Sequence, residues 1–175
     1  MSQREISLDQ VKGVPASAWQ KLAEKRIYFG HQSVGYNIID GMKVIEQQVP
    51  QITFKIVEIK KASEFPGAAF IHSPIGENDD PHSKMQSFAD YMDHGIGKSA
   101  DIAFFKFCYL DINAKSDVDK VFMEYKRTLE DMKKKYPRTT FIHVTAPLTE
   151  TRTTFRSLVK KLLGKEDHNI KRNRY

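Results

Sequence analysis

Short apolar segments alternate with amphipathic helical segments along most of this chain, and this alternation restricts the possible folds more than any other feature. Apolar runs that fit strands occupy residues 26–29, 52–59, 101–109 and 139–145. Strands separated by helices pair in parallel, because a right-handed crossover returns each strand in the same direction. We therefore expect a three-layer α/β fold whose parallel sheet has at least four strands and helices on both faces. Residues 60–79 show no regular pattern and are predicted to be irregular.

The helical segments have recognisable beginnings. A short helix is predicted over residues 15–25. Of the helices between strands, the first starts near Ser33, and the second starts at Pro81, where proline loses no hydrogen bond because it occupies the first helical position. The third shows capping-box spacing at Ser116 and Asp119. A fourth, basic amphipathic helix is predicted through residues 155–162.

Length and composition fit one globular domain. With 175 residues, 40% hydrophobic and 29% charged, the chain can bury one core and does not resemble a disordered protein. It has no apolar run long enough to cross a membrane, and residues 1–5 lack the apolar core of a secretion signal. We expect a single domain over residues 1–175. It would be cytoplasmic if the chain begins at Met1, and exported if a signal has been removed.

The net charge of +6 does not indicate nucleic-acid binding, because it is confined to one end. Residues 151–175 contain 8 basic and 2 acidic side chains, so the first 150 residues sum to zero. A neutral body with a basic tail does not provide a phosphate-binding surface across a fold. We therefore expect no nucleic-acid partner.

The loop after the first strand, GHQSVGYN at residues 30–37, is the most suggestive segment. Ligands bind open parallel sheets at the carboxyl ends of the strands. Two glycines permit a tight turn there, and the free N–H groups at a helix start favour negative charge. Ser33 is either a helix N-cap or a hydroxyl held beside that positive charge to stabilise an oxyanion.

Three segments together resemble the SGNH or GDSL hydrolase superfamily: IYFGHQSVG at residues 27–35, the region from residue 100 to residue 111, and HVTAPLT at residues 143–149. The resemblance covers about residues 15–175. It implies a flavodoxin-like α/β/α fold and a serine esterase, a class that includes enzymes removing acetyl groups from carbohydrates. It also implies a last strand that this chain, ending at Tyr175, would lack.

The resemblance also implies roles for individual residues. The nucleophilic serine of the superfamily corresponds to Ser33, and the glycine that follows its second strand and lines the oxyanion hole corresponds best to Gly67. The oxyanion asparagine is absent at the matching position, which is occupied by Leu110, and the next residue, Asp111, is a candidate oxyanion or substrate-binding residue at the cleft. A literal GEND at residues 76–79 follows the second predicted strand instead, so Asn78 is a second candidate donor.

A serine needs a general base within hydrogen-bond reach, because its hydroxyl is otherwise a poor nucleophile. The superfamily takes this base from an Asp-x-x-His near the carboxyl terminus, a pattern that the end of this chain does not contain. The candidates near strand ends are His31, His72 and His143. His143 falls inside a predicted strand and is interpreted as a core residue, which leaves His31 and His72.

Two charged residues and one thiol flank the end of the third predicted strand. Lys106, inside an apolar run, is either an anion clamp or oxyanion donor in the cleft, or one half of an ion pair with Asp111 or another carboxylate. Cys108 is interpreted as an inert core thiol. For metals, the cluster of His72, Asp79, Asp80 and His82 matches no zinc or calcium spacing, so we expect no metal and no cofactor.

These features favour a serine-dependent hydrolase of carboxylic esters, whose substrate is a small-molecule or carbohydrate ester. The alternative is a non-catalytic module that binds a carbohydrate or a small anion in the same cleft. Phosphate or nucleotide binding ranks last, because the loop lacks the glycines and the lysine of a P-loop.

Overall fold

A computed structural model of the chain describes residues 7–113 and 116–147. Its five strands are β1 (Arg26–His31), β2 (Ile56–Glu58), β3 (Ala69–Pro74), β4 (Ile102–Phe105) and β5 (Thr140–Phe141). They form one sheet in the order β2-β3-β1-β4-β5, and every pair is parallel. The predicted flavodoxin-like α/β fold with a parallel sheet is confirmed.

Helices cover both faces of this sheet. They are α1 (Leu8–Lys12), α2 (Ala16–Ala23), α3 (Val34–Gln48), α4 (Pro81–Tyr91), α5 (Gly97–Ser99) and α6 (Val118–Lys135), with a 3₁₀ turn at Ala62–Glu64 and a π-helical turn at Met92–Ile96. The predicted start of α4 is confirmed, with the Asp80 carboxylate accepting a hydrogen bond from the Ser83 N–H at 2.9 Å. The N-cap of α6 is Asp117 instead of Ser116.

The largest difference from the prediction is β3, which forms inside the stretch expected to be irregular. All six of its residues pair with β1, so it lies near the middle of the sheet. Its side chains are buried on both faces, and the alternation that identifies a half-exposed strand is therefore absent. Three predicted strands are shorter than expected, and the predicted basic helix through residues 155–162 lies outside the described residues.

The two faces of β1 support two separate cores. Tyr28 packs in a cluster with Phe88 of α4 and Leu129 of α6, whereas Phe29 packs in a second cluster with Ile39 of α3. Successive strand side chains point to opposite faces, so these contacts place α3 on one face and both α4 and α6 on the other.

This arrangement makes the carboxyl ends of β1 and β4 a topological switch point. The chain leaves β1 toward α3 on one face and leaves the neighbouring β4 toward α6 on the opposite face. Such a reversal is where ligands bind in open parallel sheets. It brings the turn at Ser33 close to the segment that begins at Lys106, whose N–H donates to the Gly30 carbonyl at 3.2 Å.

Candidate functional site

Ser33 lies at a sharp turn between β1 and α3. Its φ of 48° and ψ of −108° are rare for a residue other than glycine and cost about 1–3 kcal/mol. The side chain is exposed, and its hydroxyl makes no capping hydrogen bond although Ser33 occupies the N-cap position of α3. Ser33 therefore occupies the predicted N-cap position without making the side-chain hydrogen bond of a cap, and the residue is accessible at a strained turn.

Two buried histidines lie next to this turn. His31 ends β1, His72 lies in the neighbouring β3, and their Nε2 and Nδ1 atoms are 3.0 Å apart. Their exposed fractions are 0% and 4%. The other ring nitrogen of His31, Nδ1, is buried and has no hydrogen-bond partner in the described part of the chain. The sequence predicted both residues as candidates, and the structure brings them together.

The first turn of α3 holds the histidine pair in place. Gly35 packs directly on the His31 ring, and a Cβ at that position would lie 2.2 Å from Nδ1. The Tyr36 ring meets the His31 ring edge-on, with centroids 4.8 Å apart, and its hydroxyl donates to the Glu58 carboxylate at 2.9 Å. The loop sequence after β1 therefore supplies both the accessible serine and the cover over the imidazoles.

Burial makes both imidazoles less basic. It lowers the pKa of His31 to about 4, with smaller contributions from the nearby His72 and Lys106. Burial likewise lowers the pKa of His72, and the carboxylate of Glu58 offsets part of this change. Both rings are neutral at pH 7, so each carries one N–H donor and one nitrogen that accepts a proton.

Lys106 is buried at the end of β4, with 3% of its surface exposed. Its ammonium has one hydrogen bond among the described residues, a long one of 3.4 Å to the Phe107 carbonyl. Burial lowers its pKa, and the nearby thiol of Cys108 opposes this change. The ion pair with Asp111 that the sequence left open is not formed, because Asp111 pairs with Lys84.

Asp111 and Lys84 form a fully buried ion pair beneath the loops at this edge, with 2.6 Å between Nζ and Oδ1. The same ammonium donates to Oδ1 of Asn78 at 3.2 Å, and Asn78 is itself exposed. Asn78 follows β3, the strand that the sequence did not reveal, so its loop lies beside the Ser33 turn. Gln32 confirms this proximity by donating from Nε2 to the Gly76 carbonyl at 2.9 Å.

Three other residues considered from the sequence lie outside the Ser33 site or are not part of it. Gly67 precedes β3, so it lies at the amino-terminal edge of the sheet, opposite Ser33, and is not brought to the site. His143 lies two residues beyond β5 and is exposed instead of buried in a strand, and its Nε2 is 3.2 Å from Nζ of Lys133. Cys108 is a buried thiol, as expected.

Three side chains of the polar cluster that was considered for metal binding make other contacts. Asp80 caps α4, Asp79 accepts from the Asn113 side chain at 3.0 Å, and His82 lies 3.7 Å from the Glu124 carboxylate. Among residues 7–113 and 116–147, no three His, Cys, Asp or Glu side chains come together as metal ligands. Within the same ranges, no helix combines the length and apolar character required to cross a bilayer.

Sequence reasoning missed Lys84, the partner of Asp111. The available signal was a lysine on the apolar side of a predicted helix, one residue before Met85 and four residues before Phe88. A lysine at such a position becomes buried only with a counter-charge.

Comparison with known proteins does not identify a family for this chain. No protein-family model matches the chain, and neither the curated proteins nor the solved structures contain a significant match.

Proposed function

We propose that this protein is a serine-dependent hydrolase of carboxylic esters, related to the SGNH hydrolases, with Ser33 as the nucleophile. The observation that carries the proposal is the turn at Ser33, where a strained backbone holds an exposed hydroxyl that does not cap its helix. Strain of this kind persists where the surrounding structure enforces it, and it is concentrated at active sites. Nucleophilic serines are presented on sharp turns between a strand and a helix.

The first turn of α3 adds an electrostatic reason. The N–H groups at the start of a helix carry partial positive charge, which stabilises an oxyanion formed on a carbonyl attacked by Ser33. The side-chain amide of Asn78 is a second donor for the same charge, because its loop is hydrogen-bonded to the Ser33 turn through Gln32 and Gly76. Lys106, which follows β4 and is near enough to lower the pKa of His31, supplies additional positive potential.

The histidine pair supplies the proton acceptor. In the tautomer where His31 donates from Nε2 to Nδ1 of His72, Nδ1 of His31 carries a lone pair with no other partner. Gly35 covers that nitrogen, so this step requires the first turn of α3 to shift and bring the Ser33 hydroxyl within reach of it. During attack, the Ser33 Oγ–C bond then forms, the hydroxyl proton moves to that nitrogen, and the carbonyl π electrons move to oxygen. Collapse breaks the ester C–O bond and returns the proton to the leaving alcohol, and water then hydrolyses the acyl-serine by the same steps.

Acetyl esters, including those on carbohydrates, are the proposed substrates. This choice follows the superfamily resemblance of the segments at residues 27–35 and 143–149. No metal or cofactor is required for acyl transfer of this kind.

The alternative is a module that binds a carbohydrate or small anion without turning it over. One observation favours it: within the described residues the Ser33 hydroxyl has no hydrogen bond to either imidazole, and a His31 pKa of about 4 makes a weak base. The Ser33 turn and the buried Lys106 would then serve recognition alone.

A fluorophosphonate probe and an aryl acetate distinguish the two functions. For a hydrolase, the probe labels the wild type at Ser33, identified by mass spectrometry, and Ser33→Ala lowers acetate turnover by about 10³-fold or more. Ser63→Ala, at another exposed serine, is the matched control and retains the wild-type rate. Turnover that survives in Ser33→Ala contradicts the proposal. No labelling, combined with a rise in melting temperature on adding an acetylated oligosaccharide, identifies the binding module instead.

A further inference from the structure

The ion pair of Lys84 and Asp111 is the most deeply buried charged group in the described part of the chain, and the proposed chemistry does not use it. Both side chains are inaccessible to solvent. Burying two charges costs several kcal/mol of hydration each, and replacing such pairs by apolar residues is often neutral or stabilising. Its position beneath the loops at the carboxyl edge therefore suggests a role beyond stability.

The carboxylate of Asp111 joins two loops. Its Oδ1 accepts from the N–H of Asp79, after β3, at 3.0 Å, and its Oδ2 accepts from the N–H of Cys108, after β4, at 2.6 Å. Both oxygens are thus fully occupied by backbone donors and the Lys84 ammonium. The Asp111 carboxylate thus ties the loop that carries Asn78 to the end of β4.

The ammonium of Lys84 determines which way the Asn78 amide faces. An ammonium is a donor only, so the Asn78 atom that lies 3.2 Å from it must be the carbonyl oxygen. The NH₂ group of Asn78 is consequently directed away from Lys84. Asn78 is exposed, and no described residue accepts a hydrogen bond from its NH₂.

The loop backbone limits any other arrangement. Gly76 has a φ of 53°, and a Cβ there would lie 2.5 Å from the Lys84 backbone nitrogen, so the loop packs directly on the first turn of α4. The Gly76 carbonyl accepts from Gln32, the residue before Ser33. Lys84, the loop of Asn78 and the turn of Ser33 therefore form one connected unit.

We propose that Lys84 is a positioning residue that fixes the Asn78 amide with its oxygen inward, so that the NH₂ group is presented as a hydrogen-bond donor to the oxyanion formed on Ser33. This inference rests on the proposed function for its consequence, but the orientation of the amide is a physical statement that is measurable without any activity. Asn78 touches the oxyanion, whereas Lys84 acts through Asn78.

Side-chain NMR tests the orientation directly. In the wild type, the Asn78 NH₂ group is expected to be rigid, with an order parameter near the value of about 0.85 typical of structured backbone, whereas the exposed Asn37 amide serves as a mobile control below about 0.6. Lys84→Met is expected to release the Asn78 amide to the mobility of Asn37. An Asn78 amide that is as mobile as Asn37 in the wild type overturns the inference, whether or not the protein hydrolyses esters.

Kinetics test the consequence. Asn78→Asp keeps an oxygen for Lys84 but removes the donor, so the fold should be retained while the rate of Ser33 labelling falls about 10²–10³-fold. If Lys84 acts through Asn78, adding Lys84→Met to Asn78→Ala lowers kcat no further, whereas independent structural effects multiply. Multiplied effects contradict the positioning role. If the wild type is not labelled at Ser33 and hydrolyses no ester, but its Asn78 amide is rigid, only the proposed function is contradicted.

Discussion

Nε2 of His31 lies 3.0 Å from Nδ1 of His72, and the two imidazoles are buried between β1, β3 and the first turn of α3. The two residues are separated by 41 positions in the chain, so the pair exists only because β1 and β3 are adjacent in the sheet.

The histidine pair should make the protein acid-sensitive. The folded-state pKa of His31 is about 4, below its ordinary value of about 6.5, so between these values the unfolded chain binds more protons than the folded one. Stability is therefore greatest above pH 6.5 and is lost as the pH falls toward 4, by up to about 3 kcal/mol. Urea unfolding at several pH values measures this slope, and His31→Gln should reduce it. An equal slope in both proteins would exclude His31 as its source.

Two glycines of α3 should respond oppositely to the same substitution. Gly35→Ala places a Cβ 2.2 Å from Nδ1 of the His31 ring, well inside van der Waals contact, so it should cost about 1–3 kcal/mol and displace the imidazole pair. Gly41→Ala meets nothing within 4 Å and should stabilise the helix by about 0.5–1 kcal/mol. Chemical denaturation measures both free energies of unfolding. Similar values for the two variants would contradict the observed packing of α3 on His31.

The strained backbone at Ser33 should lower the stability of the protein. Glycine adopts a φ of 48° freely, so Ser33→Gly should be more stable than Ser33→Ala, which retains the strain, by about 1 kcal/mol. Both variants should lose labelling by the fluorophosphonate probe. Thermal unfolding of the two variants under identical conditions is the measurement, and equal stability would show that the turn is not strained.

The buried ion pair should be far more sensitive to truncation than an exposed one. Asp111→Ala leaves the Lys84 ammonium buried without a counter-charge and should cost about 3–5 kcal/mol. Glu130→Ala removes the exposed pair with Lys126 on α6 and should cost less than about 0.5 kcal/mol. The two free energies of unfolding from urea titration provide the comparison. A small effect at Asp111 would mean that water reaches Lys84.

The sequence determined the fold class and part of the site, because both depend on neighbouring residues. Apolar periodicity and helix-start signals placed α3, α4 and α6, and the glycines around Ser33 identified the turn that carries the exposed hydroxyl. Periodicity failed for β3, since a strand buried on both faces has no alternating pattern.

Tertiary structure alone decided which polar groups meet. Asp111 was expected to face the cleft or pair with Lys106, yet it pairs with Lys84 of α4, and Gly67 falls at the opposite edge of the sheet from Ser33. Such partnerships depend on strand order and register. They also depend on the cost of burying an unpaired charge, and that cost is known only when all the surrounding elements are in place. The sequence therefore determines the chemistry of each side chain, but the order and register of the strands determine which other side chain it contacts.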